Sequence, residues 1–130
     1  MTPTLEPGLV AVFAGIVGLA LGSFLNVCSL RWPQDESVVS PPSRCPSCGR
    51  GIRAHENIPV LGWLLLRGRC AGCGIRISIQ YPLVELTVGL IWAGLFWLLG
   101  LSWEALRGAM FLSILLGIAL SEARFYIIPD

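Results

Sequence analysis

The 130-residue chain is poor in charge: only 13% of its positions are Asp, Glu, Lys or Arg, about half of what soluble domains carry. Its nine basic residues are all arginine, its single histidine is His55, and its formal net charge is +1. So small an excess excludes a nucleic-acid binder that works by bulk electrostatics. No internal repeat or low-complexity stretch occurs, and no glycine string has the form of a dinucleotide or phosphate loop. Disorder, collagen and a secreted disulfide mini-protein are excluded by the same composition. What the chain does have is apolar surface. Hydrophobic residues make up 55% of the sequence and the mean hydropathy is +0.74, which favours a membrane protein with a polar insert.

Three apolar runs organise the chain. The first, Pro7 to Leu30, has 24 uncharged residues between Glu6 and Arg31. As a helix it would extend roughly 36 Å, enough to cross a bilayer core with some tilt. A signal peptide would need basic residues before a shorter apolar core, and only Glu6 precedes this one. Gly15, Gly18 and Gly22, followed by Ser23, lie on or near one face and would let another helix approach closely. The second run, Leu86 to Trp103, has 18 uncharged residues. Pro82 suits the first helical turn ahead of it, Glu85 suits the positive end of the helix dipole as a capping carboxylate, and Trp103 suits an interfacial belt. The third, Gly108 to Ser121, has only 14 uncharged residues and is short for a span. Apolar character resumes after Glu122 and Arg124, at Phe125–Pro129.

Between the first two runs, Arg31 to Tyr81 forms a polar insert. Its seven arginines face three acids, Asp35, Glu36 and Glu56. The positive-inside rule puts this insert in the cytoplasm and the N-terminus outside. The turn Ser102–Arg107 is then external, and Glu122 to Asp130 returns to the cytoplasmic side. Pro41-Pro42 marks a stiff turn ahead of the cysteines.

Four of the five cysteines form Cys45-Pro-Ser-Cys48 and Cys70-Ala-Gly-Cys73, with 21 residues between the pairs. Two Cys-x-x-Cys knuckles at about this separation are a four-thiolate zinc pattern. Gly49 and Gly74 follow the pairs and allow the backbone to turn its N–H groups toward the sulfurs. Paired disulfides or an iron site are the other chemistries this spacing allows, but a cytoplasmic location keeps thiols reduced. Four ligands would close the tetrahedron, so the metal is structural and supplies folding energy to an insert too small for its own core. Cys28 has no partner at metal spacing and reads as a packing residue. His55 reads as an exposed loop residue. Arginines around the knuckles do not make a nucleic-acid module of an insert tethered at both ends to membrane helices.

Glu122 and Asp130 bracket Ala-Arg-Phe-Tyr-Ile-Ile-Pro. Two carboxylates on one water can divide acid and base roles. At eight residues apart these two need not meet, and a Glu122–Arg124 interfacial pair with Asp130 in water is the plainer reading.

The order of several strings resembles one family. Gly22-Ser-Phe-Leu-Asn-Val27 is followed by Arg31-Trp-Pro33. Asn57-Ile-Pro-Val60 and Leu66-Arg-Gly-Arg-Cys70 lie between the cysteine pairs, and Tyr81-Pro-Leu-Val-Glu85 follows them. From about Gly8 to Asp130 the chain is similar to the type IV prepilin peptidases of type IV pilus and type II secretion systems. The resemblance implies an all-α polytopic protein of the bacterial inner membrane, with about three transmembrane helices and a small zinc-ribbon-like cytoplasmic insert. It divides the chain into a first transmembrane helix (1–30), a cytoplasmic four-cysteine zinc-binding domain (31–81) and a second and third span opening an aspartic peptidase domain (82–130). The implied activity is aspartic endoproteolysis of the basic leader of prepilins and pseudopilins, just after a glycine, on the cytoplasmic face. Many members also methylate the new N-terminus with S-adenosylmethionine. The implied zinc ligands are Cys45, Cys48, Cys70 and Cys73.

Two departures accompany the resemblance. Glu122 stands where the family has its first catalytic Asp, eight residues before the Asp of an Ile-Pro-Asp string. The family's second Asp belongs to a Gly-x-Gly-Asp string that does not occur among these 130 residues. The expectation is therefore the front half of such a peptidase, as a fragment, a split product paired with a separate C-terminal half, or a degenerate copy. The alternative is a non-catalytic, zinc-stapled membrane module that binds prepilins or secretion-system components.

Overall fold

A computed structural model describes residues 6–31, 45 and 47–125. Helix α1 runs Pro7–Arg31, a 3-10 turn covers Ala54–Asn57, the short α2 is Leu61–Leu65, α3 is Gln80–Leu99 and α4 is Trp103–Phe125. An antiparallel bridge joins Arg69 and Arg76. Three helices are long and apolar enough to cross a membrane: Pro7–Cys28, Gln80–Leu99 and Trp103–Ala123.

Pro82 falls in the first turn of α3 as expected, whereas α4 begins five residues before its uncharged run. A run of uncharged residues is a poor ruler where a charge lies inside a helix. Helix α3 begins at Gln80 and carries Glu85 on its buried side. Helix α4 begins at Trp103, so residues 103–107 are its first turn and not part of an external loop. Ser102 caps that turn, its Oγ accepting the Ala105 N–H at 3.2 Å. Glu104 and Arg107 are exposed at that end and pair at 3.8 Å. The third span is thus 21 residues long, where the uncharged run alone suggested 14.

Helix α1 packs along α3 through its small residues. A Cβ added at Gly18 would lie 2.7 Å from the Val88 carbonyl oxygen, and one at Gly22 would lie 2.7 Å from the Glu85 Cα. Backbones this close gain dispersion contacts that larger side chains would prevent, which is how helices associate where lipid leaves little hydrophobic drive. On α3, Val84, Val88, Trp92 and Phe96 recur every fourth position and are buried against Ala14, Ala105, Ala109 and Leu120. The Trp92 and Phe96 rings stack at 5.8 Å. The Trp92 indole N–H donates to Ser113 Oγ at 2.9 Å, and the Ser113 hydroxyl donates to the Ala109 carbonyl at 2.7 Å. Outward faces carry Leu9, Phe13, Ile16, Leu90, Leu98 and Phe111, all exposed, as lipid-facing surfaces are. Trp103 stands exposed at the start of α4.

Candidate functional site

The insert is built around two matching knuckles. In each, the N–H of the first cysteine donates to a carbonyl five residues on (Cys45 to Arg50, Cys70 to Ile75), both at 2.9 Å. In each, the glycine after the second cysteine donates back to the first cysteine's carbonyl, Gly49 at 2.9 Å and Gly74 at 3.0 Å. Those glycines have φ +74° and +75°, a left-handed conformation that side chains disfavour. The first cysteines, Cys45 and Cys70, are buried, and the second, Cys48 and Cys73, are exposed.

The knuckles face each other so that each first cysteine meets the other knuckle's second. Cys45 and Cys73 sulfurs lie 3.7 Å apart, Cys48 and Cys70 sulfurs 3.8 Å, and all four lie within 4.8 Å of one another. A tetrahedron with metal–sulfur bonds of about 2.3 Å has sulfur–sulfur edges of about 3.8 Å. A disulfide would need about 2.05 Å, and all four thiols are free. The cluster therefore has the donor set and spacing to hold a metal such as zinc. Backbone N–H groups of Cys48 and Ser47 lower the Cys45 thiol, and those of Cys73 and Gly72 bring Cys70 down to about 6. The Gly72 N–H lies 3.3 Å from the Cys70 sulfur. Cys48 receives an N–H from Arg50, but lost hydration and the neighbouring thiols outweigh it and push it up to about 11. A dication at the centre would stabilise all four as thiolates.

A bidentate ion pair braces the first knuckle. Arg50 donates to both Glu56 oxygens, at 2.9 and 3.2 Å, and Glu56 also accepts the Arg53 N–H at 3.0 Å. The Arg50 guanidinium and the Arg53 N–H hold the Glu56 carboxyl below the usual carboxylate range. His55, next to it, is exposed as expected.

A hydrogen bond to Glu85 fastens the insert to α3, and two others tie down the segment that leads into that helix. Glu85 is buried on α3, and its Oε1 accepts the Val60 N–H at 3.0 Å, with the Ser23 side chain of α1 beside it. Val60 has φ +63°, a strained setting for a β-branched residue, held where its N–H meets this carboxylate. The Trp63 indole donates to the Ile77 carbonyl at 3.1 Å. Asn26, buried on α1, donates to the Tyr81 carbonyl at 3.1 Å. Glu85 thus reaches across to the insert instead of capping its own helix. Sequence reasoning missed this bridge, as it missed Asn26 and the Arg50–Glu56 pair. The available signal was a lone acid on the apolar stripe that holds Val84, Val88 and Trp92.

Glu122 lies on the last turns of α4, exposed, and has no hydrogen-bond or ion-pair partner among the described residues. Helices α1 and α4 run parallel, with Gly117 against Leu25, so Glu122 is at the end of the bundle that bears the insert. Asp130, Pro33, Pro41-Pro42 and the side chain of Arg124 fall outside the described residues. Cys28 is buried on α1 and does not join the other four. Two grooves along the spans, one beside Phe13, Trp92 and Phe96 and the other beside Leu19, Gly89 and Ala93, have apolar walls.

The family model described as Bacterial Peptidase A24 N-terminal domain matches residues 16–99. A protein of Myxococcus xanthus named prepilin leader peptidase/N-methyltransferase is 44% identical over 133 residues, covering 99% of this chain and 40% of that protein. Proteins of the same name from Neisseria gonorrhoeae and Bacillus subtilis are each 37% identical, covering 90% and 88% of the chain and 49% and 46% of their own lengths. The chain thus spans two-fifths to about half of these relatives. No solved structure matches it.

Proposed function

The chain belongs to the bacterial peptidase A24 N-terminal domain family, and from that premise we propose that it is the leading part of an inner-membrane prepilin leader peptidase. Its substrates would be prepilins or pseudopilins, cut after their basic leaders at the cytoplasmic face. The arginine excess of the insert supports a cytoplasmic insert and an external N-terminus. Residues 1–30 would form the first span, 31–81 the four-cysteine domain, and 82–130 the second and third spans.

Glu122 would supply one carboxylate of an acidic pair, the other coming from outside these 130 residues. One carboxylate, ionised, takes a proton from water as it attacks the scissile carbonyl; the other, protonated, donates to the carbonyl oxygen. Glu reaches one methylene further than Asp, which the site must absorb because catalytic geometry tolerates only about 0.5 Å. The observation that carries this role is the position of Glu122 at the insert-bearing end of the bundle, in a chain aligned over 99% of its length with a protein named as this peptidase.

Cys45, Cys48, Cys70 and Cys73 would hold one structural zinc, which locks the knuckles and supplies no open coordination position. The relatives' name also includes N-methyltransferase. S-adenosylmethionine is the donor such a reaction would use, but the apolar grooves among the described residues do not fit a charged sulfonium, and no methyl-transfer step is assigned to them.

Co-expression with a prepilin separates peptidase from mere binder. With the second carboxylate present, the prepilin should emerge shortened by its leader. Co-purification of intact prepilin instead would support a non-catalytic module.

A further inference from the structure

Helix α2 sits in a polar insert yet has no polar residue. It reads Leu61-Gly-Trp-Leu-Leu65. Its inward side is accounted for: Gly62 is buried against the Glu56 carbonyl, and Trp63 packs over Gly68 and bonds Ile77. Its outward side is Leu61, Leu64 and Leu65, at i, i+3 and i+4, hence one face. These leucines are 56%, 55% and 69% exposed. An aqueous surface helix would put polar groups there.

The depth of this face follows from the Glu85 bridge. Glu85 is five residues inside the candidate span Gln80–Leu99, about 7.5 Å along the helix axis from its start. The Val60 N–H, immediately before α2, is bonded to that carboxylate at 3.0 Å. Helix α2 therefore starts level with the second turn of a membrane helix, not out beyond it. That depth, about 7.5 Å into the span, falls within the roughly 5–10 Å over which an interfacial helix buries its apolar face. Ile79, next but one to the Trp63 acceptor in the chain, is exposed as well.

Charge identifies the kind of surface. Between Glu56 and Glu85 the chain has no acidic residue and three arginines, Arg67, Arg69 and Arg76. All three are exposed, two of them shortly after α2. An exposed leucine face followed within a few residues by exposed arginines complements an anionic bilayer surface, acyl chains for the leucines and phosphates for the arginines.

We propose that the Leu61/Leu64/Leu65 face is an interfacial anchor that seats the four-cysteine module in the headgroup layer of an anionic membrane, with Arg67 and Arg69 on lipid phosphates. The module is then held flat against the bilayer by its own surface as well as by its tethers. This does not depend on leader cleavage.

The test places a small fluorescent amino acid at Leu65, with a control probe at exposed His55, in the full chain in nanodiscs, where both faces meet solvent. The discs contain phosphatidylcholine with phosphatidylglycerol, or phosphatidylcholine alone. A lipid-borne nitroxide near the headgroup should quench the Leu65 probe at least about three-fold more than the His55 probe, while aqueous iodide should do the reverse. Arg67→Gln with Arg69→Gln should weaken the lipid quenching in the anionic discs only. A second probe at Leu64 guards against a local misfit at Leu65. Iodide reaching Leu65 as freely as His55 would overturn the proposal. Protection from both quenchers would overturn it too, since a protein, whether a second copy or a partner, would then cover the face. Equal quenching in the two disc types would remove the arginine–phosphate contact.

Discussion

Gly18 and Gly22 set how closely α1 approaches α3, and replacing either with alanine should separate them. At Gly18 the new methyl would meet the Val88 carbonyl oxygen at 2.7 Å and the Gly89 Cα and Trp92 Cβ at 2.9 Å. At Gly22 it would meet the Glu85 Cα at 2.7 Å. Ordinary contacts lie near 3.5–4.0 Å, so α3 must retreat by about 1 Å. Its obstructing atoms are backbone and cannot rotate away. Overpacking of this kind costs about 1–3 kcal/mol, or roughly 5- to 150-fold in the folding equilibrium. Gly94, also on α3, supplies the control, because a Cβ there meets nothing within 4 Å. Gly94→Ala should be neutral or add roughly 0.5–1 kcal/mol through helix propensity. Reversible SDS unfolding in mixed micelles gives all three values. If Gly18→Ala and Gly22→Ala are tolerated as well as Gly94→Ala, the close α1–α3 contact is not what holds the bundle.

Four further outcomes are expected. Metal analysis of the purified chain should find about one zinc, and Cys45→Ser or Cys70→Ser should abolish it; a metal-free protein with two disulfides would refute the staple. Chelation should expose the insert to protease while helicity of the three spans persists, because a metal held by the four cysteines would fold the insert only. Ser113→Ala should destabilise by about 0.6 kcal/mol and at most about 1.7, the range for interhelical hydrogen bonds in membranes, read by the same SDS titration. Glu85→Ala should cost about 1–3 kcal/mol by orphaning the Val60 N–H, whereas Glu85→Gln keeps an acceptor and should cost less; equal losses would mean the bridge does not matter.

The sequence made the number of spans and the cysteine cluster legible because both rest on local patterns. An uncharged run shows α1 almost to the residue, and two Cys-x-x-Cys pairs followed by glycine show the knuckles. Helix α4 runs past its uncharged stretch because Glu104 and Arg107 read as a break, whereas Pro82 correctly marks the first turn of α3. In the fold, Glu85 is answered by a backbone N–H from 25 residues upstream, and Glu104 and Arg107 sit at an exposed helix end. The small-residue stripe on α1 was visible, but its partner was not: which face of α3 it meets depends on the packing. Glu122 could be singled out only by resemblance, since no local pattern distinguishes an acid of a dyad from one at a membrane edge.

Leader cleavage by a purified protein that includes the second carboxylate, compared among the parent, Glu122→Asp and Glu122→Gln, tests the account most directly. Glu122→Gln keeps the shape and removes the ionisable group, so cleavage should fall by about 100-fold or more, while Glu122→Asp retains measurable turnover. Parent-level cleavage by Glu122→Gln would contradict the assignment of Glu122 to the acidic pair.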